Sequence, residues 1–324
     1  MPTTHLNRRH MLAYLALAGM GGSAWAQDKF PSKPINFILP FPAGGATDVQ
    51  MRALAQSASK ILGQQIVFIN RPGNGGTLGP ASMAQSSPPD GYNISVIVAT
   101  LFRLPHMLKV NYDPVQDFSY IINLTGYTTG VVVKKDAPWK SLKDLIEDAR
   151  KRPGEISIGS TGRGSGGHIA MERLAKMAGV KFNFIPFKGG QEATTALLGG
   201  HLDVIADPGW GPIVESGRAR ALAIMNTERL PKLKDVPTLK ELGYDIVVDS
   251  PIGLAGPKNM PAPIVKALHD AFRQAMQEEP FLKALEMNDQ VPIYMGSGEY
   301  TDYVKKQTVL EKGFVDSLNL AALD

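Results

Sequence analysis

Cysteine is absent from this 324-residue chain. That excludes disulfides, a thiol nucleophile and lipid attachment through an N-terminal cysteine. Also lacking, past residue 30, is any apolar run of the roughly 20 residues that a membrane-spanning helix needs. An excess of either charge is lacking too: 34 Lys and Arg stand against 30 Asp and Glu. The basic residues are dispersed, which gives nucleic acid no electrostatic footprint. No G-x-x-x-x-G-K-[ST], H-E-x-x-H or G-x-S-x-G pattern occurs, so a P-loop, a zinc helix and a nucleophile elbow are not expected. His106, His168, His201 and His269 lie far apart. No cofactor, metal or catalytic set is expected.

What is present begins with a leader. Arg8 and Arg9 precede an apolar stretch from Met11 to Met20, and Ala24-Trp25-Ala26 forms an A-x-A cleavage site. Residues 1–26 are therefore read as a signal peptide cleaved after Ala26, with export to the periplasm by the Sec or twin-arginine route. The leader carries two arginines and no acid, so its loss lowers the formal charge from +4 to +2.

Composition is that of a globular protein, with 44% hydrophobic and 20% charged residues. Strand-like and helix-like segments alternate, which reads as α/β. "PINFILPF", an amphipathic helix over 48–62, "QIVFIN", a helix at "ASMAQSS" and "YNISVIVAT" give a β-α-β-α-β unit with parallel strands. A second set runs from "GVVVKKDAP" to "ARALAIM". In it Ser141 is an expected N-cap and Gly179 an expected helix stop. Three amphipathic helices close the chain. The expected architecture is two α/β lobes: residues 27–128 plus 252–324, and residues 129–251. Two chain crossings would form a hinge with a cleft between the lobes.

Four loops end a strand and open a helix: "FPAGGATD", "GSTGRGSGGH", "FKGGQE" and "ADPGWGP". Such loops lie at the carboxyl edge of a parallel sheet, where backbone N–H groups and helix N-termini attract anions. Glycine for tight turns is the plain explanation of any one of them. Four such loops, in an exported chain, point to an anion-binding cleft. Gly162, Gly164 and Gly167 satisfy G-x-G-x-x-G, but the next strand, "KFNFIPF", ends without the acidic residue a dinucleotide site requires. Asp48 either stabilises the N-terminus of its helix or orders the loop or a bridging water. His168 either caps its loop or touches a ligand. Arg103 and Lys188 are the candidate cationic anchors, each equally readable as a solvated loop residue. Phe41 is a candidate pocket floor.

"FPAGGATD", "NRPGNGGTLG", "PDGYNISV", "YDPVQDFSYI", "GSTGRGSGGH", "PFKGGQEATTALLGGHLDV" and "GRARALAIMNTERLPKLKDVPTLKELG" together resemble the Bug receptors, the periplasmic solute-binding components of tripartite tricarboxylate transporters. The resemblance spans nearly all of residues 28–324. It implies a type II periplasmic-binding-protein fold, a small carboxylate ligand and integral-membrane permease subunits as partners. It also implies that Ala43, Gly44, Gly45 and Asp48 face Ser160, Thr161, Gly162 and Ser165 across the ligand. Thr100, Gly164 and Asp207 are further candidate ligand-binding residues. The chain departs from the family's pattern at "LFRLPH", which puts Arg103 at the specificity end. That placement makes a dicarboxylate, linear or aromatic, the expected ligand. The chain is read as a monomer. A sensor or scavenger signalling to a membrane partner is the alternative role.

Overall fold

A computed structural model describes residues 30–321 apart from residue 249. The expected leader and its cleavage site lie outside the described residues.

The first α/β unit forms as its pattern dictates. Strand β1 (Ile35–Leu39) is apolar and almost wholly buried. It pairs in parallel with β2 (Ile66–Asn70) and with β3 (Asn93–Val98). Helix α1 (Ala46–Leu62) buries Met51, Leu54, Ala55 and Ala58, a stripe with helical spacing, and stops at Gly63 with φ +67°. Helix α2 (Leu78–Ser86) links β2 to β3, and a single turn, α3 (Thr100–Arg103), follows β3.

Three more strands complete this sheet in the opposite sense. β4 (Phe118–Gly126) and β10 (Pro251–Pro257) are antiparallel neighbours, β10 also pairs antiparallel with β3, and β11 (Pro292–Gly296) adds to β4. The order is β11-β4-β10-β3-β1-β2. The purely parallel sheet expected locally is thus a mixed one.

The second sheet has the order β7-β6-β8-β5-β9. Its strands are β5 (Gly130–Lys134), β6 (Ser157–Ser160), β7 (Asn183–Pro186), β8 (Val204–Asp207) and β9 (Ala219–Ile224). β6 pairs in parallel with β7 and β8, while β5 runs against β8 and β9. Helices α4 (Leu142–Lys151), α5 (Gly166–Ala178), α6 (Gly190–Leu198) and α7 (Gly211–Glu215) connect them. Ser141 caps α4 in a reciprocal capping box with Asp144, and Gly179 ends α5 at φ +64°.

Each sheet is covered on both faces. Met51, Leu54, Phe272 and Phe281 pack one face of the first sheet, and Phe102, Tyr120, Tyr300 and Val304 the other. The covering helices include α8 (Ala262–Ala275), α9 (Glu279–Glu286) and α10 (Ser297–Ser317). The chain passes between the sheets from β4 to β5 and returns from β9 to β10. The two passages touch, with Tyr127 N–H donating to the Ser250 carbonyl at 2.8 Å. A third link lies away from them: Val315 of α10 packs with Met107 and with Ile169 of the second lobe.

Candidate ligand-binding cleft

The first-lobe loop is shaped by one carboxylate. Gly44 adopts φ +82°, and its N–H donates to Asp48 Oδ2 at 3.0 Å. Asp48 also accepts from Arg52 Nε at 2.8 Å and from Asn70 Nδ2 at 3.0 Å. The same Asn70 amide holds the Phe41 carbonyl at 3.0 Å. Burial raises the Asp48 carboxyl pKa, but hydrogen bonds from Arg52, Gly44 and Asn70 outweigh it and leave the pKa below its ordinary value. Asp48 therefore orders the loop from behind. The first turn of α1 has no side-chain cap, and Gly45, Ala46 and Thr47 line the cavity.

The second-lobe loop is built around another carboxylate. Asp207, at the end of β8, accepts from Ser160 Oγ at 3.1 Å, Thr161 N–H at 3.3 Å and Thr161 Oγ1 at 2.5 Å. Burial pushes its pKa up to about 6, with the Thr161 and Ser160 hydrogen bonds opposing. Ser160 gives its proton to Asp207, so Ser165 donates in the 2.8 Å bond between the two hydroxyls. Ser165 caps α5 by accepting from His168 N–H at 3.3 Å. Gly167 is required here by close approach. A Cβ on it would lie 1.6 Å from the Ala206 carbonyl oxygen.

Between these loops lies a cavity of about 190 Å³. Of the expected site residues, Phe41, Ala43, Gly45, Thr100, Thr161, Ser165 and Asp207 line it. Gly44, Asp48, Ser160, Gly162, Gly164 and His168 are not part of the lining; of these, Asp48, Ser160 and His168 are buried and hydrogen-bonded to the loops that form it. The His168 ring is structural in this arrangement. Its Nδ1 accepts from Gly164 N–H at 3.1 Å, and the ring centroid sits 4.0 Å from that of Phe184. Burial, with Arg163 and Arg103 nearby, lowers its pKa to about 4, so the imidazole is neutral.

Two more of the expected residues lie outside this lining. Arg103 does not line the cleft: it is 4% exposed and paired with Glu311 Oε2 and Oε1 at 2.6 and 2.5 Å. Lys188 is exposed and also lies outside the lining, where its N–H donates to Glu192 Oε2 at 3.1 Å. In consequence, among the described residues no Lys, Arg or His lines the cavity, whereas Asp207 and Glu192 do. Positive potential in the cleft comes from the N-termini of α1, α5 and α6, whose first residues Ala46, Gly166 and Gly190 all face it.

Sequence reasoning missed Tyr127, Thr129 and Ser250, which reach the cavity from the inter-sheet passages, and Gln191, Glu192 and Thr194. The last three follow directly on "FKGG", so a strand-to-helix loop should have drawn attention to the first helical turn as well as to its lysine. Among the described residues no group of three or more His, Cys, Asp or Glu could hold a metal ion.

The lobes meet at the rims of the cavity. A Cβ on Gly162 would come 2.9 Å from the Gly75 Cα, and one on Gly189 would come 2.9 Å from Pro42 Cδ. A family model described as "Tripartite tricarboxylate transporter family receptor" matches residues 50–320. The chain belongs to this receptor family. A Cupriavidus necator protein described as "UPF0065 protein in gbd 5'region" is 44% identical over 326 residues, covering 98% of this chain and 99% of its own. The solved periplasmic binding protein BugD superposes with a TM-score of 0.85 at 29% identity, covering 90% of this chain and 99% of its own. MatC from Rhodopseudomonas palustris, solved with bound malate, gives 0.83 at 26% identity over 88% of this chain and 100% of its own. Another R. palustris protein, solved with adipate, gives 0.84 at 27% identity over 91% of this chain and 100% of its own. The TctC-family receptor is thus a two-lobed periplasmic solute-binding protein, a binder and not an enzyme.

Proposed function

We propose that this receptor encloses one small organic acid between its lobes and presents it to the permease subunits of a tripartite tricarboxylate transporter. The observation that carries the reading is the convergence of three helix N-termini and two glycine-rich loops on one cavity that no basic side chain lines among the described residues. A carboxylate seated there accepts hydrogen bonds from main-chain N–H groups of the loops and helix starts. Contacts to both lobes exist only when they close, so the ligand favours the closed state by that difference. The chain acts as an exported monomer, cleaved after Ala26.

A dicarboxylate is the preferred ligand, because the two R. palustris relatives were solved with malate and adipate, both dicarboxylates. A monocarboxylate with an uncharged tail is the second reading. It is favoured by the missing cation and by Glu192, whose own carboxylate already occupies the first turn of α6. Phe41, Val98 and Tyr127 would cover such a tail.

A thermal-shift and calorimetry panel of paired mono- and dicarboxylates tests both. An acid present at 100 times its Kd should stabilise the protein by about 2.7 kcal/mol. Adipate and malate binding at least ten-fold tighter than hexanoate and butyrate supports the first reading, and the reverse order supports the second. Stabilisation by neutral sugars with no response to any carboxylate would overturn the proposal.

A further inference from the structure

Arg103 was expected at the ligand and lies elsewhere, yet each of its three guanidinium nitrogens is engaged. Nε and Nη2 grip Glu311 of α10, 208 residues further along the chain. Nη1 donates to the carbonyl of Gly164. Both members of the ion pair are buried, with side chains 5% and 4% exposed, and both belong to the first lobe. Gly164 belongs to the glycine loop of the second. The pair would be complete without it, so the third bond marks a different task.

Gly164 sits between Thr161 and Ser165, which line the cavity. Its φ is +77°, and its N–H is held by His168. With Arg103 on its carbonyl, both of its backbone groups are fixed. The peptide is planar, so fixing this carbonyl also fixes the plane that continues into Ser165, the N-cap of α5. We propose that Arg103 is a cross-lobe positioning residue: braced by Glu311, it holds the Gly164–Ser165 peptide and favours the closed arrangement whatever acid occupies the cleft. The proposal rests on the cleft being the ligand site. Lysine could not substitute, because a single ammonium lacks the planar fork that grips Glu311 while reaching Gly164.

A residue that favours closure scales every ligand's apparent affinity by the same factor. An anchor for a second carboxylate would instead discriminate between ligands. The informative variants are Arg103→Lys and the double variant Arg103→Met/Glu311→Leu. The double variant avoids leaving Glu311 buried and unpaired, the defect that makes Arg103→Met alone prone to misfold.

Because the chain has no cysteine, Met177→Cys and Val309→Cys give unique spin-label sites on α5 and α10. These positions are 51% and 73% exposed and lie in opposite lobes. Distance distributions by pulsed electron resonance would be recorded without acid, with adipate and with hexanoate, alongside release rates. The double variant should lower the closed-to-open ratio about ten-fold and speed release of both acids by that same factor, with Arg103→Lys in between. An unchanged ratio, or a loss confined to adipate, overturns the proposal. If no acid shifts the distances in the parent, the carboxylate reading fails, and the acid-free comparison still judges Arg103.

Discussion

Asp207 and His168 are linked through Ser160 and Ser165 in the second-lobe site, and burial pushes their pKa values in opposite directions. For Asp207 the folded pKa of about 6 exceeds the ordinary 3.8. Between those values the folded state keeps a proton that the unfolded chain releases, so this group's contribution falls as pH rises from 4 to 6. For His168 the folded pKa of about 4 lies below the ordinary 6.5. Between those values the unfolded chain binds the extra proton, so its contribution rises with pH. The two offset each other across much of the same window. Asp207→Asn should therefore leave a protein that loses stability on acidification from pH 6 to 4 more steeply than the parent. His168→Asn should show the opposite change, and denaturant melts at half-unit pH steps would check both. Asp207→Asn should also flatten any gain in acid affinity between pH 7.5 and 5.5, because it removes the charge that repels an anion in the cleft. Legibility at this scale followed sequence distance. Asp48, four residues from the glycine it holds, could be read as a loop-ordering group. Arg103 could not be read, because Glu311 and Gly164 are remote in sequence and nothing local betrays that they meet.

Elements were legible where their cause was local. The capped helices, the glycine stops and the parallel β2-β1-β3 unit follow from periodicity and cap chemistry. β4, β10 and β11 were not legible as sheet members, since their antiparallel pairing joins residues as far apart in the chain as Ile122 and Gly296 (Asn123 Nδ2 also donates to the Ile293 carbonyl at 2.7 Å). Glycines separate the same way. Gly167→Ala would drive its methyl into Ala206 and push α5 off β8, costing about 3 kcal/mol and abolishing acid binding. Gly313→Ala, in α10 where an added Cβ meets nothing within 4 Å, should stabilise by up to about 1 kcal/mol and leave affinity unchanged. Chemical denaturation paired with calorimetric titration checks both. At the head of α5, Ser165→Ala should cost about 1 kcal/mol and Ser165→Gly only a few tenths. If both weaken acid binding equally, the hydroxyl itself contacts the ligand.

At the scale of the whole molecule, the cleft's electrostatics predict its kinetics. Long-range steering needs side-chain charge of one sign around the entrance, and among the described residues no basic one lines the cavity. Stopped-flow association of adipate should change by no more than about two-fold between 20 and 500 mM salt, because the attraction arises from backbone dipoles at short range and is screened little. A steep salt dependence would place unrecognised lysines or arginines on the entry path. The two-lobe plan was legible in the order of the segments. The third link between lobes, Val315 against Ile169, was not, because the end of α10 reads in sequence as an ordinary amphipathic cover.

The uncapped first turn of α1 and the glycine-headed starts of α5 and α6 have an evolutionary consequence. A seat made of main chain is inherited with the fold and cannot be deleted by changing one side chain. Positions such as Phe41, Gln191 and Thr194 are then free to drift, retuning what the rest of the molecule in the cleft must look like while the capacity to hold an anion persists. A lineage built on this arrangement can exchange one nutrient for another by surface substitutions alone, without passing through a receptor that binds nothing.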